Sequence, residues 1–474
     1  MARPVYAVFR GCLADTPAMG TLRIRARAAL GVDRRSGRIV GVATESDAAP
    51  AQLVREWTGE PVGDGDVETT DLGADQLLMP GLVDTHTHAP QFAFLGLGHD
   101  LPLMEWLETY TFRHESQFQD ADLARTIYAD AVRRMVRGGC TMAAYYGTIH
   151  LEACCILAET IRDAGQRAYV GKVCMDQNAP DYYSETTDES LQATEAFVHA
   201  VLGGQSAADD GVLVRPIITP RFAPTCSARC LHGLGRLARD HQLPIQSHLC
   251  ESPAEVAFAK ECFPDCVSYS AIYHAAGLFG PRTIMAHCVH MSDDDMRLVR
   301  ECGVGVSHCP NSNFSLSSGV ADVRRFVDQG IPVGLGTDVS GGYAPSLLDA
   351  MRMAAAASRT LVAARRDSAQ PAAGSPLDAA ELLFLATQGG ARVMGMQASI
   401  GTLDEGKLFD ALVVDFAAPG SPVPPPSVTP AVLRHQQADE LEQAWRLRIE
   451  QFVFLADDRN IARVYVGGRL IHAL

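Results

Sequence analysis

Eight short apolar runs, most of them followed by a segment with helical apolar spacing, fill the stretch from Gly81 to Asp338. This repetition constrains the chain more than any other feature. The runs are GLVDTHTH (Gly81–His88), GCTMAAYYG (Gly139–Gly147), RAYVGKVCM (Arg167–Met175) and VLVRPIITP (Val212–Pro220), then LPIQSH (Leu243–His248), TIMAH (Thr283–His287), GVGVSH (Gly303–His308) and IPVGLGTD (Ile331–Asp338). Asp122–Arg137, Cys226–His241, Ser292–Cys302 and Val320–Gln329 carry apolar residues at the 3.6-residue period between them. Repeated strand–helix units predict a parallel sheet, and eight of them predict an α/β fold, a (β/α)8 TIM-type barrel. A doubly wound open sheet is the alternative.

Outside this stretch the texture changes. The head shows strand-like runs (Tyr6–Arg10, Ile39–Ala43) and a polar, glycine-rich piece from Gly59 to Asp66; the tail shows strands again at Ala411–Asp415 and Val464–Val466. We therefore expect residues 80–400 to form the barrel, with residues 1–79 and 401–474 pairing as a small β-sandwich beside it. PGSPVPPPS from Pro419 reads as an irregular extended loop. Met351–Arg366 reads as a packing helix, and Asp293–Asp295 after Ser292 as a helix N-terminus, where negative charge is favoured.

Composition narrows the function. Hydrophobic residues make up 47% and charged residues 20%, which excludes disorder for most of the chain. Lys plus Arg number 40 against 56 for Asp plus Glu, a net charge of −16 that repels phosphate backbones and argues against nucleic-acid binding. No apolar stretch approaches the ~18 residues of a membrane span, so no membrane partner is expected. Thirteen cysteines, an odd number without a spaced framework, read as reduced thiols of a cytoplasmic enzyme. The start, MARPVYAVFRG, lacks the basic and apolar regions of a signal peptide.

Several motifs fail. Gly233-Leu-Gly235-Arg-Leu-Ala238 lies inside a helical period with no strand before it, so it is no dinucleotide loop. GTLDEGK (Gly401–Lys407) is followed by Leu408, where a phosphate loop needs Ser or Thr. There is no HExxH, no GxSxG and no paired Cys-x-x-Cys of cytidine-deaminase type. Cys226/Cys230 and Cys262/Cys266 read as buried thiols on helices.

What survives sits at the C-terminal ends of the predicted strands, the catalytic face of such a barrel. His86 and His88, two residues apart on the first strand, point the same way and can converge on one ion. His248, His287, His308 and Asp338 end strands five to eight. Histidine nitrogens with a carboxylate suit Zn²⁺ or Fe²⁺, with a position left open for water. A bound ion lowers that water's pKa towards ~7. Glu251, three residues past His248, can reach over the metal from the adjoining loop as a proton shuttle without ligating it. His308 either touches substrate or orders its loop through hydrogen bonds; the second reading is preferred.

PGLVDTHTH, SHLCE, MAHC, SHCPNSN and GLGTD, in this order, resemble the amidohydrolase superfamily and, within it, the purine and triazine deaminases. DTHTHAPQFAFLGLGHDLPLMEWLETYTF from Asp84 and TPRFAPTC from Thr219 are similar to the guanine deaminase family. The likeness continues through GKVCMD, HCPNSNFSLSSG, TDVSGGY and DDRNIARVYVGG, covering roughly Pro80 to Gly468. The resemblance implies His86, His88, His248 and Asp338 as metal ligands, His287 as a residue beside the metal's water and a further ligand in some members, and Glu251 and Asp338 as the proton-transferring acids. It implies that Gln91, Arg221 and Phe222 hold guanine, with His88, His248, Glu251 and Asp338 also facing it. Arg221 stands where two-metal relatives carry a carbamylated lysine, which argues for one metal per chain. The implied partners are guanine and a second copy in a homodimer.

The residue types suit a purine. Arg221 can donate to the ring carbonyl, Gln91 can both donate and accept, and Phe222 can stack. Arg221 in a salt bridge across the barrel top and Phe222 in the core are the structural alternatives. The implied reaction converts guanine and water to xanthine and ammonia. A related aminopurine or triazine, such as 8-oxoguanine or ammeline, is the alternative substrate, and an inactive binding or scaffolding relative the alternative class.

Overall fold

In the computed structural model, residues 4–45, 48–204, 211–366, 374–425 and 438–474 are described. From the N-terminus come five strands: β1 (Tyr6–Ala18), β2 (Thr21–Asp33), β3 (Arg38–Thr44), β4 (Val67–Asp71) and β5 (Gln76–Pro80). Ten more run through the middle: β6 (Leu82–His88), β7 (Cys140–Tyr146), β8 (Arg167–Gly171), β9 (Val173–Cys174), β10 (Val214–Pro216), β11 (Thr219–Pro220), β12 (Ile245–Leu249), β13 (Thr283–His287), β14 (Gly305–His308) and β15 (Val333–Leu335). The tail adds β16 (Ala411–Asp415), β17 (Ile461–Val466) and β18 (Arg469–Ala473).

The middle strands pair in parallel wherever they pair, in the orders β6–β7–β8–β10, β9–β11 and β12–β13–β14–β15. An Ile218–Ile245 bridge joins the link between β10 and β11 to β12. Beyond β15, Asp338 N donates to His86 O over 2.9 Å and His88 N to Val339 O over 3.0 Å, so the order returns to β6. β6, β7 and β8 are buried at every residue, which is why they read as continuous apolar runs rather than as alternation. Two expected strands are split: Arg167–Met175 becomes β8 and β9, and Val212–Pro220 becomes β10 and β11. Pro216 and Pro220 have no N–H to give the ladder.

Helices cover the outside, and their starts follow the capping rules. Ser292 and Asp295 form a capping box at Asp293–Cys302, as the acidic run predicts. Ser252 and Glu255 form another at Pro253–Cys262, directly after Glu251. The packing helix spans Leu347–Arg365, and the segment expected at Val320–Gln329 shortens to Val323–Asp328. Gly233 and Gly235 lie within the helix Ala228–Asp240.

Head and tail share one eight-stranded sheet, ordered β18–β17–β16–β5–β1–β2–β3 with β4 on β1. Antiparallel pairing of β5 with β16 stitches the two ends together. Phe9 stacks on Phe409 with centroids 4.8 Å apart and meets Tyr465 edge-on at 5.3 Å, so the sheet encloses its own small core. In the head and tail, β2, β4, β5 and β18 and the helices Pro50–Thr58 and Ala438–Leu455 were not legible; the first half of β2 is partly exposed without clean alternation. The Pro-rich stretch is irregular through residue 425, and its last residues lie outside the described ones. All thirteen cysteines are unpaired; Cys226 and Cys230 are buried as expected, but Cys262 and Cys266 are half-exposed. Among the described residues no helix is long and apolar enough to cross a membrane.

Candidate active site

The strand ends gather one constellation. Nε2 of His88 lies 3.3 Å from Nε2 of both His86 and His248. Asp338 Oδ1 sits 3.1 Å from His86 Nε2 and 3.4 Å from His88 Nε2. One ligand atom from each of these four residues falls within 4.8 Å of every other. Burial holds His88 and His248 well below the ordinary imidazole range, and neighbouring imidazoles add to the effect. The Nδ1–H of His248 donates to Arg221 O over 2.6 Å, which leaves its Nε2 carrying a lone pair. Converging lone pairs repel one another unless a cation lies among them. The donor set, three imidazoles and a carboxylate, therefore fits a divalent metal.

Asp338 stays ionised. Burial opposes its charge, but the facing imidazoles, His86 foremost, outweigh that and hold it well below the usual carboxylate range. His287 and Asp338 both adopt left-handed backbone, φ 70° and 47°, at a cost of about 1–3 kcal/mol each. Tertiary hydrogen bonds keep them there. Asp84, missed in the sequence although it opens the DTHTH run, accepts from Thr337 Oγ1 (2.5 Å), Thr337 N and His86 N, and burial raises its pKa to about 6. It ties the end of β15 to β6. Gly336 permits that closeness, since a Cβ there would lie 2.9 Å from the His86 Cβ and 2.6 Å from Ser307 Oγ.

Glu251 stands over the cluster without belonging to it. Its Oε2 is 3.4 Å from His287 Nε2, and Ser318 Oγ donates to Oε1 over 3.3 Å. Burial pushes its carboxyl well above the usual range, and the charge on Asp338 adds to this. Glu255 accepts from Glu251 N over 2.6 Å, so the capping box also fixes the Glu251 backbone. His287 Nδ1 donates to Asn313 Oδ1 over 2.9 Å, turning Nε2 towards Glu251 and towards Asp338 Oδ2, 3.7 Å away. Asn313, in the SHCPNSN run, is a second residue that sequence reasoning overlooked.

A cavity opens beside the cluster. Gln91, Arg221, Glu251 and His287 line it with His88, His248 and Asp338, and Leu103, Trp106, Leu107, Phe222 and Leu316 give it apolar walls. The sequence expectations for this wall need two corrections. Gln91 is not an open donor–acceptor: its Oε1 accepts from Ser340 N (3.0 Å) and its Nε2 donates to Glu115 Oε1 (2.8 Å). Arg221 does make the salt bridge set out as its structural alternative, a two-pronged pair with buried Glu115 at 2.6 and 3.1 Å, while still lining the cavity. Glu115, a further 27 residues past His88, offered no sequence signal. His308 also departs from expectation. It is buried, but neither ring nitrogen has a hydrogen-bond partner among the described residues, so it does not order its loop in that way.

The amidohydrolase family profile matches residues 77–471. The chain is 41% identical to a probable guanine deaminase of Schizosaccharomyces pombe over 98% of its own length and 83% of that protein. It is 38% identical to the guanine deaminase of Dictyostelium discoideum over 99% of both. Among solved structures, a guanine deaminase from C. acetobutylicum with bound guanine in the active site superposes with a TM-score of 0.83 at 32% identity, covering 98% of this chain and all of that one. This chain is an amidohydrolase of the guanine deaminase family. Its fold is accordingly the amidohydrolase fold, of TIM-barrel type. In this amidohydrolase His88, His248 and Asp338 of the cluster line one cavity with Glu251, Gln91 and Arg221.

Proposed function

We propose that this chain deaminates guanine hydrolytically, guanine and water giving xanthine and ammonia. One observation carries the reading: a metal-fitting His/Asp cluster, a buried carboxyl outside it and a donor-rich wall converge on a single cavity. His86, His88, His248 and Asp338 would hold one divalent ion, Zn²⁺ or Fe²⁺. When bound, that ion supplies the Lewis acidity that makes water a nucleophile at neutral pH.

The chain's own groups then divide the work. Arg221 donates to the ring carbonyl, Gln91 donates beside it, and Phe222 packs against the flat face of the base. Asp338, kept ionised, accepts the attacking water's proton, and His287 orients that water through Nε2. Glu251 carries a proton to the ring nitrogen beside the reacting carbon and then to the departing amine. The hydrogen-bonded order of the parallel strands supports a (β/α)8 barrel over residues 80–400, with the head and tail as its β-sandwich. Purine catabolism, a homodimer and residence in the cytoplasm complete this reading by resemblance.

Ammonia release from guanine, 8-oxoguanine, adenine, cytosine and ammeline tests it. Adenine sets its amine against the Arg221 donors and leaves buried polar groups unpaired, each costing ~1–3 kcal/mol. Two such mismatches give guanine a kcat/KM at least about a hundredfold above that for adenine. Equal values would overturn the substrate assignment.

A further inference from the structure

Glu115 is fully buried, one helical turn beyond the π-helical turn Leu107–Thr111, and is not part of the metal cluster. Four donors fill its carboxylate: Arg221 Nη1 (2.6 Å) and Tyr183 Oη (2.8 Å) on Oε2, Arg221 Nη2 (3.1 Å) and Gln91 Nε2 (2.8 Å) on Oε1. A carboxylate has about four lone-pair directions, so this one is saturated. Its partners include two polar residues of the cavity lining, Gln91 and Arg221.

The consequence for Gln91 is geometric. An amide can be turned over to exchange donor and acceptor, but here both ends are specified independently. Glu115 accepts only, so the NH₂ must face it; the backbone N–H of Ser340 donates only, so the carbonyl must face that side. With Oε1 engaged and one N–H spent, the second N–H remains. Arg221 has no acceptor at all, and Glu115 engages two of its five N–H groups while cancelling its charge. The wall is thus a preset, charge-neutral donor surface.

We propose that Glu115 is the positioning residue that sets substrate specificity: by locking Gln91 and Arg221 as donors, it demands an oxo group on the facing edge of a neutral purine and rejects an amino group there. This rests on the purine-deaminase reading above. Removing Glu115 takes away one of the two restraints on the Gln91 amide and unpairs the Arg221 fork, leaving Ser340 N–H as the single hold on Gln91, so discrimination falls even where binding persists.

The test is calorimetric titration of the metal-loaded protein with hypoxanthine and with adenine, which differ in oxo against amino at that edge, alongside guanine turnover and metal content. In the unaltered protein hypoxanthine binds at least about tenfold tighter. In Glu115→Gln that ratio collapses at least fivefold towards unity while metal content holds. Tyr183→Phe, which removes one donor from Glu115 and little else, narrows it two- to threefold and serves if Glu115→Gln does not fold. An unchanged ratio in the folded Glu115→Gln protein, or in Tyr183→Phe where the first does not fold, overturns the proposal. Absence of ammonia from guanine in the unaltered protein is a separate result, which overturns the underlying function instead.

Discussion

The Nδ1–H of His248 donates to the backbone carbonyl of Arg221 over 2.6 Å. One hydrogen bond thereby joins the metal-fitting cluster to the wall of the cavity. The same contact selects the tautomer that directs Nε2 inward and fixes the backbone from which the Arg221 side chain starts. Cluster and cavity wall are in register because neighbouring strand ends carry both.

The cluster should bind one metal. We expect close to one equivalent of zinc or iron per chain by elemental analysis, a lower Tm after chelation, and loss of both metal and turnover in His88→Ala. Two equivalents in a robust centre, or none, would contradict the four-residue site.

Glu251→Gln keeps shape and burial but cannot carry a proton. Turnover should fall by ~10²–10⁴ while metal content stays the same. Steady-state kinetics on guanine decide this, and a variant keeping more than about a tenth of kcat would move the proton transfer to another group.

Arg221 and Glu115 should behave as a unit. Arg221→Met leaves a buried carboxylate without its cation, a loss of ~3–5 kcal/mol in chemical denaturation. Adding Glu115→Leu removes that stranded charge, so the double variant should recover at least about half the loss. If single and double variants are equally unstable, the two residues are not coupled as their geometry requires.

Acid stability should depend on a pair outside the site. Arg324 donates to both Glu381 oxygens, at 2.7 and 2.8 Å, bracing the helices Val323–Asp328 and Ala379–Phe384. Burial opposes the Glu381 charge, but these bonds and the Asp378 N–H outweigh it and hold its pKa below the usual 4.5. A depressed carboxylate contributes stability above its unfolded pKa and loses it as pH falls through the folded one. The pair should be worth ~1 kcal/mol near neutral pH. Denaturation midpoints of the unaltered protein and Arg324→Met should therefore converge below pH ~4; a gap that holds or widens there would reverse the sign.

The local pattern in the chain was enough to determine a great deal. Eight apolar runs, four of them (Gly81–His88, Gly139–Gly147, Arg167–Met175 and Thr283–His287) with burial at every residue, gave the parallel strands, because a strand covered on both faces cannot alternate. Polar residues at the ends of those runs gave His86, His88, His248, Glu251, His287 and Asp338, since a barrel's strand ends face one common space. Glu115, Asp84 and Asn313 were decided only by tertiary structure. Each acts by hydrogen-bonding a residue distant in sequence: Glu115 reaches Arg221 106 positions away, Asp84 reaches Thr337 across 253, and Asn313 reaches His287 across 26. Sequence spacing encodes the period of a single element; it carries no record of which buried carboxylate will meet which donor once the elements pack. For the same reason Gln91 read as free to donate or accept, and only the positions of Glu115 and Ser340 on either side of its amide fixed which atom faces which.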